Sequence, residues 1–148
     1  MYHPRLSQAL ALVDCIDPDA YTTGTQDGDI IDMSKHARVV FIVMAGTLGS
    51  SATLNFAVWG SAASTMTSQA LITGKSITAL TQAGTDSDKQ AIVEVTAEEV
   101  GAQGYRYIQG TLTIGVATSD AGVVTLADHS RYAPASESDL ASVDEIVA

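Results

Sequence analysis

The run "RVVFIVMA", residues 38–45, restricts the fold of this 148-residue chain more than any other segment. A β-strand points successive side chains to opposite faces. Both faces of this strand are then apolar: Val39, Phe41 and Val43 on one, and Val40, Ile42 and Met44 on the other. An uncovered apolar face favours aggregation, and burial of each such side chain is worth roughly 1.5–3 kcal/mol, so the second face needs a cover.

Other runs alternate in the ordinary way of a half-buried strand. Residues 52–60 place Leu54, Phe56 and Val58 on one face, and residues 105–118 do the same with Ile108, Leu112 and Ile114. Further strands are predicted at 30–33, 76–81, 89–97 and 122–127. About six to eight short strands with Gly, Ser and Asp turns predict an all-β fold, an antiparallel β-sandwich or jelly roll with extended N- and C-terminal arms.

The chain divides into three predicted parts. Residues 1–29 are interpreted as an N-terminal arm or short helix followed by a turn-rich segment, because Asp, Gly and Thr dominate residues 17–29. Residues 30–134 are the predicted β-sandwich domain, in which the small-residue stretch 61–75 forms a long loop. Residues 135–148 are predicted to form an acidic C-terminal tail.

Composition narrows the classes of partner. Seven Lys and Arg against 17 Asp and Glu give a net charge of -10, which repels phosphate and argues against direct binding of nucleic acid. A basic protein surface is the better partner. Neither a signal peptide nor an apolar run of membrane-spanning length is apparent, so we expect a chain made in the cytoplasm that does not enter a membrane. The single Cys15 has no intrachain partner and is interpreted as a small buried hydrophobe.

Catalytic and metal-binding motifs are not apparent in the sequence. The candidate bases His3, His36 and His129 lie outside any recognisable catalytic motif, so we expect neither an enzyme nor a cofactor. The acidic segments 17–32 and 85–89 do not have the ligand spacing of a calcium loop, and their Asp residues are interpreted as turn formers rather than metal ligands.

Two sets of polar or aromatic residues leave alternatives open. Trp59, Tyr105 and Tyr107 could form an aromatic platform for a glycan, although cross-strand packing is the more common role of such rings. Isolated arginines among the strands either pair with carboxylates of the same chain or reach across an interface. These arginines are Arg38, Arg106 and Arg131.

The chain resembles small structural proteins of tailed bacteriophages, the head decoration or cement proteins. The resemblance is carried by the segments "LSQALALVDCIDPDAYTTGTQDGDIIDMSKHARVVFIVMAGTLGSSATLNFAVWGS", "ITGKSITALTQAGTDSDKQAIVEVTAEE", "YRYIQGTLTIG" and "RYAP". It implies a β-rich, non-enzymatic virion protein that binds the outside of an assembled capsid, often as a trimer, and reinforces it. The implied partners are the major capsid protein and further copies of the chain. A neck or tail protein of the virion, or a glycan-binding sandwich module, is the alternative.

Partner contacts are predicted for the second apolar face and for both terminal segments. The cover of the second face is either the opposite sheet with the N-terminal arm or another subunit, and we favour an oligomer. The tail either docks on a neighbour as a short amphipathic helix or strand or is disordered. The candidate interface residues are Tyr2, Arg5, Leu6, Leu10, Val40, Ile42, Met44, Arg131, Tyr132, Leu140, Val143 and Ile146.

Overall fold

The computed structural model describes residues 5–130 and 134–147, without the side chain of His129. Within these ranges, nine strands form two antiparallel sheets. Sheet A contains β1 (Leu10–Tyr21), β9 (Ser119–Ser130), β3 (His36–Ala45) and β7 (Gln90–Thr96), in that order. Sheet B contains β2 (Gly24–Asp32), β8 (Tyr107–Gly115), β4 (Thr53–Ser61) and β5 (Ala70–Ser76), with β6 (Leu80–Thr81) also on β4. Short helices lie at α1 (Leu6–Ala9), α2 (Ala97–Ala102) and the 3₁₀ helix Ala135–Ser138.

The strand order is that of a jelly roll. The first four strands alternate between the two sheets. As a result, β1 pairs with β9 in sheet A, while β2 pairs with β8 in sheet B. The all-β sandwich predicted from the sequence is confirmed. This architecture alone does not define a function.

The inner faces of the two sheets form the core. The rings of Phe41 and Phe56 meet at its centre with centroids 5.3 Å apart. Gly110 lies beside both rings, and a Cβ at this position would be 2.7 Å from Phe56 Cζ and 2.9 Å from Phe41 Cε1. The faces predicted for β4 and β8 are confirmed, since Leu54, Phe56, Val58, Ile108, Leu112 and Ile114 are all buried.

The N-terminal part differs from its prediction as an arm with a turn-rich segment. Residues 10–21 and 24–32 are long strands, β1 and β2, each on the edge of one sheet, so the sandwich begins at Leu10 rather than at residue 30. Within the described part of this segment, residues 5–29, Leu6–Ala9 is the only helix. Pairing with β9 and β8 outweighs the turn preference of the Asp and Gly residues, because β propensity depends strongly on the neighbouring strand.

The segment predicted as a loop at 61–75 also contains a strand. Ala70–Ser76 forms the edge strand β5, whereas the strand predicted at 76–81 is reduced to the two residues of β6. Helix α2 was not predicted. Its signal is the capping box at Thr96 and Glu99, in which each side chain accepts a hydrogen bond from the other residue's backbone N–H.

A buried carboxylate joins the edges of the two sheets. Asp14 lies at a bulge of β1 and points inward, where its Oδ1 accepts a hydrogen bond from Asp29 N at 2.7 Å and its Oδ2 from Thr125 Oγ1 at 3.0 Å. Gly28, in the facing bulge of β2, leaves room for the carboxylate, since a Cβ there would lie 2.5 Å from Asp14 Oδ2. Burial raises the pKa of Asp14 despite these hydrogen bonds.

We expect the stability of Asp14→Asn relative to the wild type to depend on pH. The free energy of unfolding of the variant minus that of the wild type should rise as pH increases above 3.8. The unfolded chain releases the Asp14 proton near pH 3.8, whereas the folded chain retains it to higher pH, so this carboxyl favours the folded state less as pH rises through that window. Urea unfolding of both proteins between pH 4 and pH 8 measures the difference. Parallel stability curves would contradict the assignment.

Candidate functional site on the outer face of sheet A

The outer face of sheet A carries two apolar rows that cross its strands. One row contains Leu12, Leu126 and Val40, and the next contains Cys15, Val124, Ile42 and Ile92, each directly opposite its neighbour in register. Met44 continues the face on β3. We call these eight side chains the apolar face.

The apolar face is only partly shielded by the described chain. Ile92, on the edge strand β7, is 69% exposed, and the other seven side chains are half-buried. The opposite sheet packs on the inner residues Val39, Phe41 and Val43 and does not cover Val40, Ile42 or Met44. The first of the two predicted covers was the opposite sheet with the N-terminal arm. The opposite sheet does not cover this face, and residues 10–21 of the predicted arm extend sheet A as β1.

Charged side chains border one end of this face. Arg38 and Asp128 form an ion pair, and a shallow depression there is lined by Leu10, Val40, Leu126 and the carboxylate-bearing Glu94. A second depression lies at the other end, where Met44 and Gly122 meet Pro18 and Asp120. The apolar face is thus bounded by polar groups, as in protein interfaces that have a polar rim.

Of the two roles left open for the arginines, pairing with a carboxylate of the same chain is found for two of the three. Arg38 pairs with Asp128, and Arg106 binds Asp32 through Nε–Oδ1 at 2.9 Å and Nη2–Oδ2 at 2.6 Å. The hydrogen bonds from Arg106 hold the pKa of Asp32 well below its usual range. Arg131 lies outside the described residues.

The C-terminal segment docks on its own chain at its beginning. Leu12 N donates a hydrogen bond to Asp139 Oδ1 at 2.6 Å, and Leu140 N donates to Leu12 O at 2.8 Å, so this segment covers part of the free edge of β1. Val143 N in turn donates to Leu140 O. Ile146 and Val147 beyond them are 48% and 87% exposed.

The predicted interface residues therefore fall in separate places. Val40, Ile42 and Met44 share the apolar face, with Leu10 at its border. Arg5 and Leu6 are exposed at the start of α1, and Leu6 is 72% exposed to solvent. Tyr2, Arg131 and Tyr132 lie outside the described residues. The sequence reasoning missed Leu12, Ile92, Val124 and Leu126, although the apolar residues on both faces of "GVVTLAD" were a signal for the last two.

The chemistry-bearing side chains are dispersed. Buried His36, at the start of β3, has its Nδ1 3.0 Å from Ser130 Oγ, and burial lowers its pKa. Cys15 is half-buried on the apolar face rather than in the core, and burial together with nearby Asp17 raises the pKa of its thiol. His3 and the side chain of His129 lie outside the described residues. Burial thus favours neutral imidazole and thiol forms at His36 and Cys15.

The acidic turns carry carboxylates of the kind that bind metal ions. Among residues 5–130 and 134–147, no group of three or more His, Cys, Asp or Glu side chains is placed to hold a metal ion. Asp86 instead accepts hydrogen bonds from Thr81 N at 2.9 Å and Lys89 Nζ at 2.8 Å, so it stabilises the turn before β7.

No helix in the described ranges is long and apolar enough to cross a membrane.

The three aromatic residues considered as a glycan platform do not share one face: Trp59 and Tyr107 point outward from sheet B, whereas Tyr105 points inward. Tyr105 packs towards the core over Gly60, where a Cβ would be 2.8 Å from its ring. Tyr107 lies against the guanidinium of Arg106, whose Cζ is 5.0 Å from the ring centroid. Of the three, Trp59 lines a depression on the outer face of sheet B.

Comparisons with known proteins give weak structural likenesses only. No protein-family model matches the chain, and no curated protein matches it. A chain in a structure of infectious bursal disease virus, Gt strain, matches 85% of this chain with 10% identity and a TM-score of 0.44. A chain from the Gx strain matches 86% with 8% identity and a TM-score of 0.39. This chain spans about a third of each, 33% and 30%, and likenesses at this level assign it no function.

Proposed function

We propose that this chain is a non-enzymatic structural protein of a phage virion that binds the outer surface of the assembled capsid and stabilises it. The observation that carries the proposal is the apolar face, a continuous and partly exposed patch around Ile42 with a charged border. Apolar patches of this kind on folded proteins mark contact sites for other proteins. The resemblance to head decoration proteins is the reason for proposing a capsid as the partner.

Two kinds of surface would serve two partners. In a homotrimer the apolar face of each copy is covered by a neighbouring copy, and the same residues are buried on every copy. The remaining surface is dominated by carboxylates, and the net charge of -10 suits basic patches of a major capsid protein. Attachment to the neck or tail of the virion would use the same surfaces and is the alternative location.

Stabilisation of the capsid follows from binding linkage. A protein that binds only the assembled shell stabilises it by RT ln(1 + [L]/Kd) at each site, and the effect is summed over many sites. A trimer also raises the effective concentration of its second and third contacts, which can strengthen attachment by about 10²- to 10⁴-fold. Modest affinity at each contact is then sufficient for stable attachment of the trimer to the capsid.

A structural role also agrees with the environment of His36. Its Nδ1 contacts Ser130, but no carboxylate within the described residues makes a hydrogen bond to its ring. A serine nucleophile normally requires a base that is oriented by a third group. We therefore assign the His36–Ser130 contact to pairing of β3 with β9 rather than to catalysis.

Co-sedimentation with empty phage heads that lack the protein tests the proposal, after light scattering has measured the oligomeric state. We expect a trimer that sediments with heads in low salt and dissociates in high salt, because charge pairing at exposed surfaces is screened. Ser130→Ala removes the hydroxyl group that contacts His36. We expect this variant to bind heads like the wild type, because the contact has no role in attachment. A monomer that stays in the supernatant at both salt concentrations would overturn the proposal.

A further inference from the structure

The outer face of sheet B differs in chemistry from the apolar face. Its centre is a depression of about 310 Å³ between β2, β8, β4 and the segment before β5. Its outward-facing lining is mostly polar, with one large aromatic side chain. The residues of this lining are Thr25, Asp27, Asn55, Ala57, Trp59, Gln69, Thr111 and Thr113.

Several polar groups of this depression are available to a ligand. Thr111 Oγ1 donates to Asp27 Oδ1 at 2.7 Å, which positions that carboxylate, and its Oδ2 accepts no hydrogen bond from the described residues. The side-chain amides of Asn55 and Gln69 and the indole N–H of Trp59 make no hydrogen bond with any group in the described ranges. Donors and acceptors that make no hydrogen bond within the described residues therefore line the same depression as the Trp59 ring.

We propose that this depression binds a neutral saccharide. The apolar C–H face of a sugar ring packs on an aromatic side chain, while its hydroxyls exchange hydrogen bonds with amides and a carboxylate. Trp59 provides the first kind of contact, and Asn55, Gln69 and Asp27 provide the second. The volume is near the lower end of small-molecule sites and suits one or two sugar rings.

The lining argues against other small ligands. An anionic sugar or a phosphate would face Asp27 without a Lys or Arg among the lining residues, on a chain of net charge -10. A wholly apolar ligand would leave the amides and the carboxylate without partners, which is costly. A ligand that carries several neutral hydroxyls satisfies the groups that are present.

This inference does not depend on the capsid proposal. Trp59 and Ile42 lie on the outer faces of opposite sheets, so the saccharide site stays open when the apolar face is covered. A chain that assembles through sheet A could then present sheet B to a glycan. Failure of either proposal would leave the other intact.

Trp59 makes the test direct, because it is the single tryptophan of the chain and lines this depression, so selectively excited tryptophan emission reports on its surroundings. The probes are maltose, cellobiose, lactose and N,N′-diacetylchitobiose, with 3′-sialyllactose as the anionic comparison. We expect a saturable change in emission with at least one neutral disaccharide, with a Kd on the order of 1 mM. Sialyllactose is expected to produce no saturable change.

Matched variants assign the response to the site. Asn55→Ala and Gln69→Ala are each expected to weaken binding about five- to tenfold, since each removes hydrogen bonds to the sugar. Gln90→Ala removes an exposed amide from sheet A and is expected to leave binding unchanged. Thermal unfolding checks that every variant is folded. The inference is overturned if no neutral disaccharide gives a saturable change, if folded Asn55→Ala and Gln69→Ala both bind like the wild type, or if sialyllactose binds as well as the neutral sugars.

Discussion

Ile42→Asp is expected to convert the native assembly into monomers and to weaken attachment to phage heads by about 10²-fold or more. Ile42 lies in the middle of the apolar face, directly opposite Val124 on one side and Ile92 on the other. A carboxylate buried at a subunit contact without a partner costs several kcal/mol. Monomers also lose the multivalent gain of a trimer. Light scattering and co-sedimentation with heads measure the two effects.

Thr113→Asp provides the matched control for this substitution. It adds the same charge to the outer face of the other sheet, where Thr113 lies opposite Thr25 and Asn55. We expect the control to keep the native assembly and to sediment with heads. If Ile42→Asp also retains the assembly with unchanged thermal stability, the apolar face is not a subunit contact.

The strands that the sequence predicts well are those whose pattern is set by the core. In β4 and β8 the inward positions are apolar residues or glycine and most outward positions are polar, so the period of two is visible without the structure. The two-faced run around Ile42 also reveals an unusual strand. Its outer face could be recognised because β3 is apolar at every position from Val39 to Ala45.

Strands β1, β2 and β5 could not be predicted in the same way. Their exposed edges accept Asp, Gly and Thr, and their hydrogen bonds come from partners that are distant in the chain, such as β9 for β1. The bulges at Asp14 and Gly28 also interrupt the alternation that would mark a strand. Local composition therefore favours turns where tertiary pairing forms strands.

The candidate site was predictable only in part for a related reason. Val40, Ile42 and Met44 share one strand, and their common face follows from sequence alone. Leu12 and Ile92 join that face through the registers of three strand pairs, which a single sequence does not contain. The saccharide site could not be predicted from a single sequence either. Trp59, Asp27 and Gln69 line one depression, but they come from two different strands and the segment before β5.

Phe41→Ala is expected to lower the free energy of unfolding by about 3–5 kcal/mol, because the ring is fully buried against Phe56 at the centre of the core. Gly110→Ala alone is expected to cost about 1–3 kcal/mol, since its new methyl group would overlap both rings. Together the two changes are expected to cost less than their sum, because the methyl group added at position 110 enters space that the Phe41 ring has left. Urea unfolding at one fixed protein concentration measures all three variants.

Gly101→Ala is the control for the glycine substitution. Gly101 lies in α2, and a Cβ there meets no atom within 4 Å, so alanine is expected to leave stability unchanged or to raise it by up to about 1 kcal/mol. The loss at position 110 then reflects crowding in the core and not the loss of glycine itself. Costs for Phe41→Ala and Gly110→Ala that add within about 0.5 kcal/mol would show that the two sites do not share space. Such additivity would contradict the proposed packing of the core, in which the small residue on β8 is required because the rings from β3 and β4 meet beside it.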